Sequence, residues 1–162
     1  MQYYQHDLNS VEDYLHHRSP YLLVDRIVSV TAKEIQTEKL ITGDEFFLQG
    51  HFSGTAIFPG AMMQELSTQS AGILIAAKFN PMREYNTHDP HFNKFALGVL
   101  VRVNNAKFKG FARPGETLLT HVNLNDHTAN LFDFRATITI DGKAIMQNSF
   151  RLANVESVLL HA

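Results

Sequence analysis

Residues 50–72 read GHFSGTAIFPGAMMQELSTQSAG, and the rest of the 162-residue chain is read outward from this stretch. A glycine-punctuated loop carries His51, tightens at Phe58-Pro59-Gly60, and gives way to a helix running to about Ala77. Between Ala61 and Ala77 the only ionisable side chain is Glu65. A surface helix shows a charged face opposite its apolar stripe, and this one shows none, so the pattern predicts a buried helix with Glu65 inside the fold. A buried carboxylate is costly unless it is paired, hydrogen-bonded or protonated. Two readings fit. Glu65 is a general acid with a raised pKa working beside His51 as base, or it is a satisfied core carboxylate and His51 an ordinary loop histidine.

The flanks supply a sheet. Downstream, Ala96 to Phe108, Thr117 to Asp126, Leu131 to Ile140 and Lys143 to Val155 read as strands, the last two joined by an Asp141-Gly142 hairpin turn. Upstream, Tyr21 to Thr31 is rich in β-branched and aromatic residues and Glu34 to Thr42 alternates, predicting a first hairpin. Asp25 and Arg26 are adjacent in that first strand, so they should point to opposite faces, with one of them inward or toward a partner chain, or both satisfied at the strand end or by neighbouring strands. Ser10 followed by Glu12 and Asp13 predicts a short helix over Val11 to His16. His16 and His17 then point in different directions and read as polar connecting chain. Phe79 to Phe95 contains two prolines and three asparagines and reads as a loop. His88 and His91 are three apart within it, but Pro90 works against the helical face a metal pair would need, so no metal site is expected. The expected class is α+β: an antiparallel sheet of about six strands wrapped round one long central helix, as a single domain over residues 1–162.

Composition narrows the function. Hydrophobic residues make up 44% and charged residues 19%, enough apolar content for a sizeable core. A formal net charge of −2 gives no basic field for nucleic acid. With no cysteine there is neither a disulfide framework nor a thiol nucleophile. The first residues lack the basic start and apolar run of a secretory signal, and no long strongly apolar stretch occurs, so a soluble cytoplasmic protein with no membrane partner is expected.

The pattern GHF-x-G-x-x-I-F-P-G, followed by a carboxylate and a glutamine, resembles the FabZ-type 3-hydroxyacyl-acyl-carrier-protein dehydratases of the hot-dog fold. In that family the catalytic carboxylate follows the catalytic histidine by fourteen positions, the spacing of His51 and Glu65 here, and a glutamine lies four residues further on, at Gln69. The run HRSPYLLVDR (residues 17–26) and the run AKFKGFARPGE (residues 106–116) also resemble the family's, in the same order along most of the chain. Two departures stand out. The proline usual after the HF pair is Ser53, and Phe79 to Phe95 is longer than the corresponding connection.

The resemblance implies His51 as general base, Glu65 as general acid, and Gln69 orienting Glu65. It places Phe58 and Gly60 at the substrate, the Gly60 N–H polarising the thioester carbonyl. It implies no metal or organic cofactor. It also implies acyl carrier protein with its phosphopantetheine-linked substrate as partner, and a homodimer in which His51 of one chain meets Glu65 of the other, with further assembly open. Arg102, Lys107, Lys109 and Arg113 read as a docking patch for the acidic carrier or as a solvated sheet edge. A glutamate rather than the aspartate of FabA-type enzymes argues against double-bond isomerisation. A hot-dog thioesterase and a non-catalytic acyl-thioester-binding partner are the alternatives.

Overall fold

The computed structural model describes residues 1–89 and 91–161. Helix α1 (Val11–Tyr14) is followed by strands β1 (Arg26–Val30) and β2 (Glu34–Leu40), a 3-10 turn (Phe46–Leu48) and helix α2 (Gly60–Lys78). Strands β3 (Phe95–Phe108), β4 (Thr117–Thr128), β5 (Leu131–Ile140) and β6 (Lys143–Glu156) then complete one sheet. Its order is β1-β2-β4-β5-β6-β3 and every pairing is antiparallel. The expected arrangement is borne out: a six-stranded antiparallel sheet wraps the long helix.

The sheet curls because each central strand has one face to bury. Along β2, β4 and β5, buried and partly exposed residues alternate, the period-two signature of a sheet packed on one side. Phe132, Phe134 and Phe150 stack at 5.7–6.5 Å and fill the hollow of the sheet. The helix pressed into that hollow is buried at every residue from Leu66 to Ala77. Its polar side chains survive burial because they bond locally: Ser67 and Thr68 donate to the Gln64 carbonyl and Ser70 to the Leu66 carbonyl. Asn148 on β6 reaches across to Gln64 and Ser67, at 2.8 Å each. The β5–β6 turn takes positive φ at Asp141 (48°) and Gly142 (78°), the backbone a two-residue hairpin of this twist requires.

Three expectations near the N-terminus are corrected. The first helix stops at Tyr14, with Leu15 already extended, because the next carbonyls turn to Arg18: its guanidinium donates to the oxygens of Leu15 and His17 at 2.7 and 2.8 Å. The first strand begins at Arg26 rather than Tyr21. The N–H groups of Tyr21 and Leu22 are taken by the Arg18 carbonyl, and that of Leu23 by the Gln69 side chain, so 21–23 crosses α2 instead of joining a ladder. Neither Asp25 nor Arg26 faces inward. The Asp25 carboxylate accepts the Leu40 N–H at 2.6 Å and Arg26 pairs with Glu38 at 2.5 Å, both at the surface.

Among its described residues the connection 79–94 has no helix or ladder of its own apart from a bridge between Tyr4 and Asn80, yet it is fastened to the segment around α1. The Tyr85 hydroxyl donates to the Tyr14 carbonyl at 2.7 Å, Arg18 donates to the Thr87 carbonyl at 3.0 Å, and Thr87 donates to the Glu12 carbonyl. His88 pairs with Asp13 at 3.0 Å, and Asn93 bonds His16. Pro90, on which the argument against a metal pair at His88 and His91 rested, lies outside the described residues. No helix among the described residues is long and apolar enough to cross a membrane.

Candidate active site

His51 is set by a loop of tight turns. The 3-10 turn ends at Leu48, whose carbonyl accepts the His51 N–H at 3.1 Å, and Gly50 and Phe52 both take positive φ, at 77° and 63°. Glycine adopts that conformation freely, whereas Phe52 is held in it by the turn. The imidazole then bonds inward, Nδ1 lying 2.9 Å from the Ile57 carbonyl. A carbonyl can only accept, so Nδ1 carries the proton and the Nε2 lone pair is left free. That is the tautomer a general base needs. The Phe52 ring leans edge-on against the imidazole at 4.7 Å.

The loop delivers the chain to α2. The Phe58 N–H donates to the Ala112 carbonyl at 2.8 Å, tying the turn to the segment after β3. The Phe58 ring is only 2% exposed and meets Phe47 edge-on at 4.9 Å, so it faces the core. Pro59 occupies the N-cap and Gly60 opens the helix, where first-turn N–H groups have no partner within the helix and carry the positive end of its dipole. Gly60 is there for space as well: a Cβ would lie 2.9 Å from a ring carbon of Phe108.

Glu65 lies one turn into α2, its side chain 18% exposed, and so opens onto a cavity rather than being enclosed. Its Oε1 accepts from Gln69 Nε2 at 2.9 Å. Gln69 is fully engaged, donating also to the Tyr21 carbonyl at 3.0 Å and accepting the Leu23 N–H at 2.8 Å. Residues 21–23 thereby lock the amide that holds the carboxyl. His17 Nε2 stands 3.7 Å from Glu65 Oε1, its ring stacked on Tyr21 at 5.7 Å, and His17 Nδ1 is buried without a partner. Burial raises the Glu65 pKa above the ordinary carboxylate range, against opposing hydrogen bonds from Gln69 and Tyr21. Burial, then the neighbouring His16 and Arg18, lower the pKa of His17 and favour its neutral form.

The cavity beside Glu65 has a volume of about 390 Å³ and is walled by the chain around His17, one face of α2, the start of β3 and the C-terminal segment. Glu65 and Gln69 line it; His51, Phe58 and Gly60 do not. Within one chain, then, the two groups expected to do the chemistry are not brought to a common cavity. Sequence reasoning missed His17 and Tyr21 as neighbours of Glu65. No local signal could have found them: Pro20 marks a break in the chain before Tyr21, but nothing in the pattern says that this segment passes Glu65.

The FabA-like domain family matches residues 15–149. The 3-hydroxyacyl-[acyl-carrier-protein] dehydratase FabZ of Rickettsia massiliae is 32% identical over 145 residues, covering 89% of this chain and 92% of that protein. The FabZ of Rickettsia felis is 31% identical over the same shares. Among solved structures, the dehydratase heterocomplex ApeI:P from Xenorhabdus doucetiae superposes with a TM-score of 0.75 at 17% identity, covering 96% of this chain and 97% of that one. A thioesterase superfamily member from Mus musculus gives 0.57 at 15% identity, covering 79% and 80%. At such identities the structural likenesses bear on the fold alone. The family match and the relatives above 30% identity go further, and the chain belongs to the FabA/FabZ family of hot-dog-fold dehydratases.

Proposed function

We propose that the chain dehydrates 3-hydroxyacyl thioesters held on acyl carrier protein to trans-2-enoyl thioesters, as a lyase of fatty-acid or related acyl biosynthesis. The observation that carries this reading is Glu65: a carboxyl on the buried helix, raised in pKa by burial, fixed by Gln69 and open to a cavity. The Gly60 N–H, at the positive end of α2, polarises the thioester carbonyl, which acidifies the C2 hydrogens. His51 Nε2 takes the C2 proton and the C2–H electrons form the C2=C3 bond. The C3–O bond breaks, and Glu65 protonates the departing hydroxyl so that water leaves. The imidazolium and carboxylate then return to their starting forms by exchanging one proton through solvent, and hydration runs the same steps backward.

The site is completed by a second copy of the chain. Strand β3 is a sheet edge with Leu100, Val101 and Val103 exposed by 39–51%, a long apolar edge of the kind that pairs with another strand. Pairing β3 with its counterpart covers these residues and brings His51 of one protomer toward the cavity of the other. Arg102, Lys107, Lys109 and Arg113 lie exposed on or just beyond this strand, where positive charge would speed encounter with an acidic carrier. The test is turnover of 3-hydroxyacyl carrier protein, followed through enoyl formation, by the wild type and by Glu65→Gln. Enoyl product from the wild type, lost in a folded dimeric variant, supports the reading. Free acid as product, or wild-type binding without turnover, sinks it.

A further inference from the structure

The long connection 79–94 contributes a wall to the cavity that holds Glu65. Tyr85 is the residue by which it does so, and that side chain is doubly restrained. Its hydroxyl donates to the Tyr14 carbonyl at 2.7 Å, and its ring lies 5.9 Å from each of the rings of His6 and His16. Burial raises the Tyr85 pKa well above the ordinary phenol range, so the hydroxyl stays a neutral donor. The anchors at Thr87, His88 and Asn93 hold the rest of the connection to the same segment.

The cavity is pinched along α2 beyond Glu65. Glu65, Thr68, Gln69 and Gly72 face it from α2, the spacing that puts side chains on one helix face, and seven residues carry that face about 10 Å from the carboxyl. There the helix meets β3 backbone to backbone: Gly98 takes φ +73°, and a Cβ on it would lie 3.1 Å from the Gly72 Cα. Leu15 closes on the other side of Gly72, 3.3 Å from where its Cβ would be. A chain threading past Glu65 between α2 and β3 therefore cannot continue straight beyond Gly72. It must turn outward, and Tyr85, which lines the cavity and is bonded to Tyr14 next to the Leu15 that packs on Gly72, is the side chain placed to meet it. The volume of about 390 Å³ sits at the small end of the range of ~300–1,000 Å³ usual for ligand pockets.

We propose that this cavity is an acyl chamber closed by Tyr85 and restricted to short acyl groups, so that the 79–94 connection, through Tyr85, sets the chain length this protein accepts. The proposal rests on the dehydratase reading for the identity of the occupant and deepens it by naming the substrate class. Tyr85 is not assigned any part in the proton transfers. Its contribution is steric, felt as discrimination between acyl chains that are identical at the reacting carbons.

The experiment measures kcat/KM of the homodimeric wild type on 3-hydroxybutyryl, 3-hydroxyoctanoyl and 3-hydroxyhexadecanoyl carrier protein, beside Tyr85→Ala, Tyr85→Leu and Tyr85→Phe. Far-ultraviolet circular dichroism and gel filtration check folding. The wild type should favour the shortest substrate over hexadecanoyl by at least about tenfold, the low end of what a hydrophobic pocket gives for a single methylene. Tyr85→Ala should erase most of that preference by raising the hexadecanoyl value, Tyr85→Leu should do so in part, and Tyr85→Phe, which keeps the volume, should retain it. An unchanged ratio in Tyr85→Ala and Tyr85→Leu, or a wild type indifferent to length, overturns the proposal. Should no substrate be turned over, the dehydratase reading fails separately. The chamber is then read from binding of acyl-pantetheine amides of the same lengths: short over long, relieved in Tyr85→Leu, supports it, and no order by length overturns it.

Discussion

Because burial holds the Glu65 carboxyl above the ordinary range while Gln69 and Tyr21 pull it back down, the group titrates under two opposed influences, of which burial is the larger. In the proposed mechanism Glu65 acts in its protonated form, so the forward rate should fall as pH rises through its folded-state pKa, giving the alkaline limb of the pH profile of kcat. Glu65→Gln should lower kcat by about 10²–10⁴-fold, the usual worth of a general acid, and abolish that limb. Stability should move the other way. A carboxyl whose pKa is higher folded than unfolded costs the fold nothing below the unfolded value and destabilises it as pH rises through the folded one. Glutamine cannot ionise and still offers Gln69 an acceptor, so the variant's Tm should exceed the wild type's near about pH 8 and match it near about pH 4. A variant less stable than wild type at alkaline pH would mean that the ionised carboxylate is welcome in its site. Glu65 was legible in the sequence because it is the sole ionisable residue on an apolar helix, a local pattern. His17 and Tyr21 were not, since their nearness to Glu65 depends on where a non-repeating segment crosses that helix, and no periodicity encodes a crossing.

Helix α2 begins where Phe108 leaves no room for a side chain, and that contact links the helix start to the far end of β3. Gly60→Ala must push aside the half-exposed Phe108 ring, so it should cost at most about 1 kcal/mol, the low end of overpacking, read as a small fall in Tm, and should raise KM if the first-turn N–H shifts off the thioester. Trimming the ring in Gly60→Ala/Phe108→Leu should recover part of the stability; additive losses would show that the contact is not the cause. At this scale the sequence was most readable where one face of an element is buried. Strand β5 came out at its expected bounds, while β3, β4 and β6 each came out longer by one or two residues, because alternation marks a strand but not the residue where pairing stops. The first strand was misread by five residues for a different reason. Tyr21 to Asp25 has β-prone composition, yet Gln69 and the Arg18 carbonyl take N–H groups that a ladder would have used. The connection 79–94 carried no periodic signal, and its order comes from side-chain bonds to backbone that no local pattern announces.

At the scale of the whole molecule, one chain carries His51 in one place and Glu65 in another, and the cavity beside the carboxyl does not include the histidine. The proposed dimer through β3 would resolve this, and two interventions separate it from a monomeric mechanism. Val101→Lys puts a charge in the middle of the exposed edge, a substitution that opposes strand pairing with little cost to the isolated fold. It should shift the protein to monomers in sedimentation velocity and remove turnover with the sheet's circular dichroism unchanged. An active monomer would end the shared-site account. The second intervention needs no change at the interface. His51→Ala and Glu65→Ala are each inert alone, but in a mixed dimer one of the two sites draws its histidine from the Glu65→Ala chain and its carboxyl from the His51→Ala chain. Random exchange in a twofold-symmetric dimer leaves about a quarter of the wild-type sites intact. Co-refolded equimolar mixtures should therefore recover roughly that fraction of kcat with an unaltered KM. If His51 and Glu65 instead served the same chain, every site in every mixture would lack one of them, and the mixture would remain as inactive as its parents.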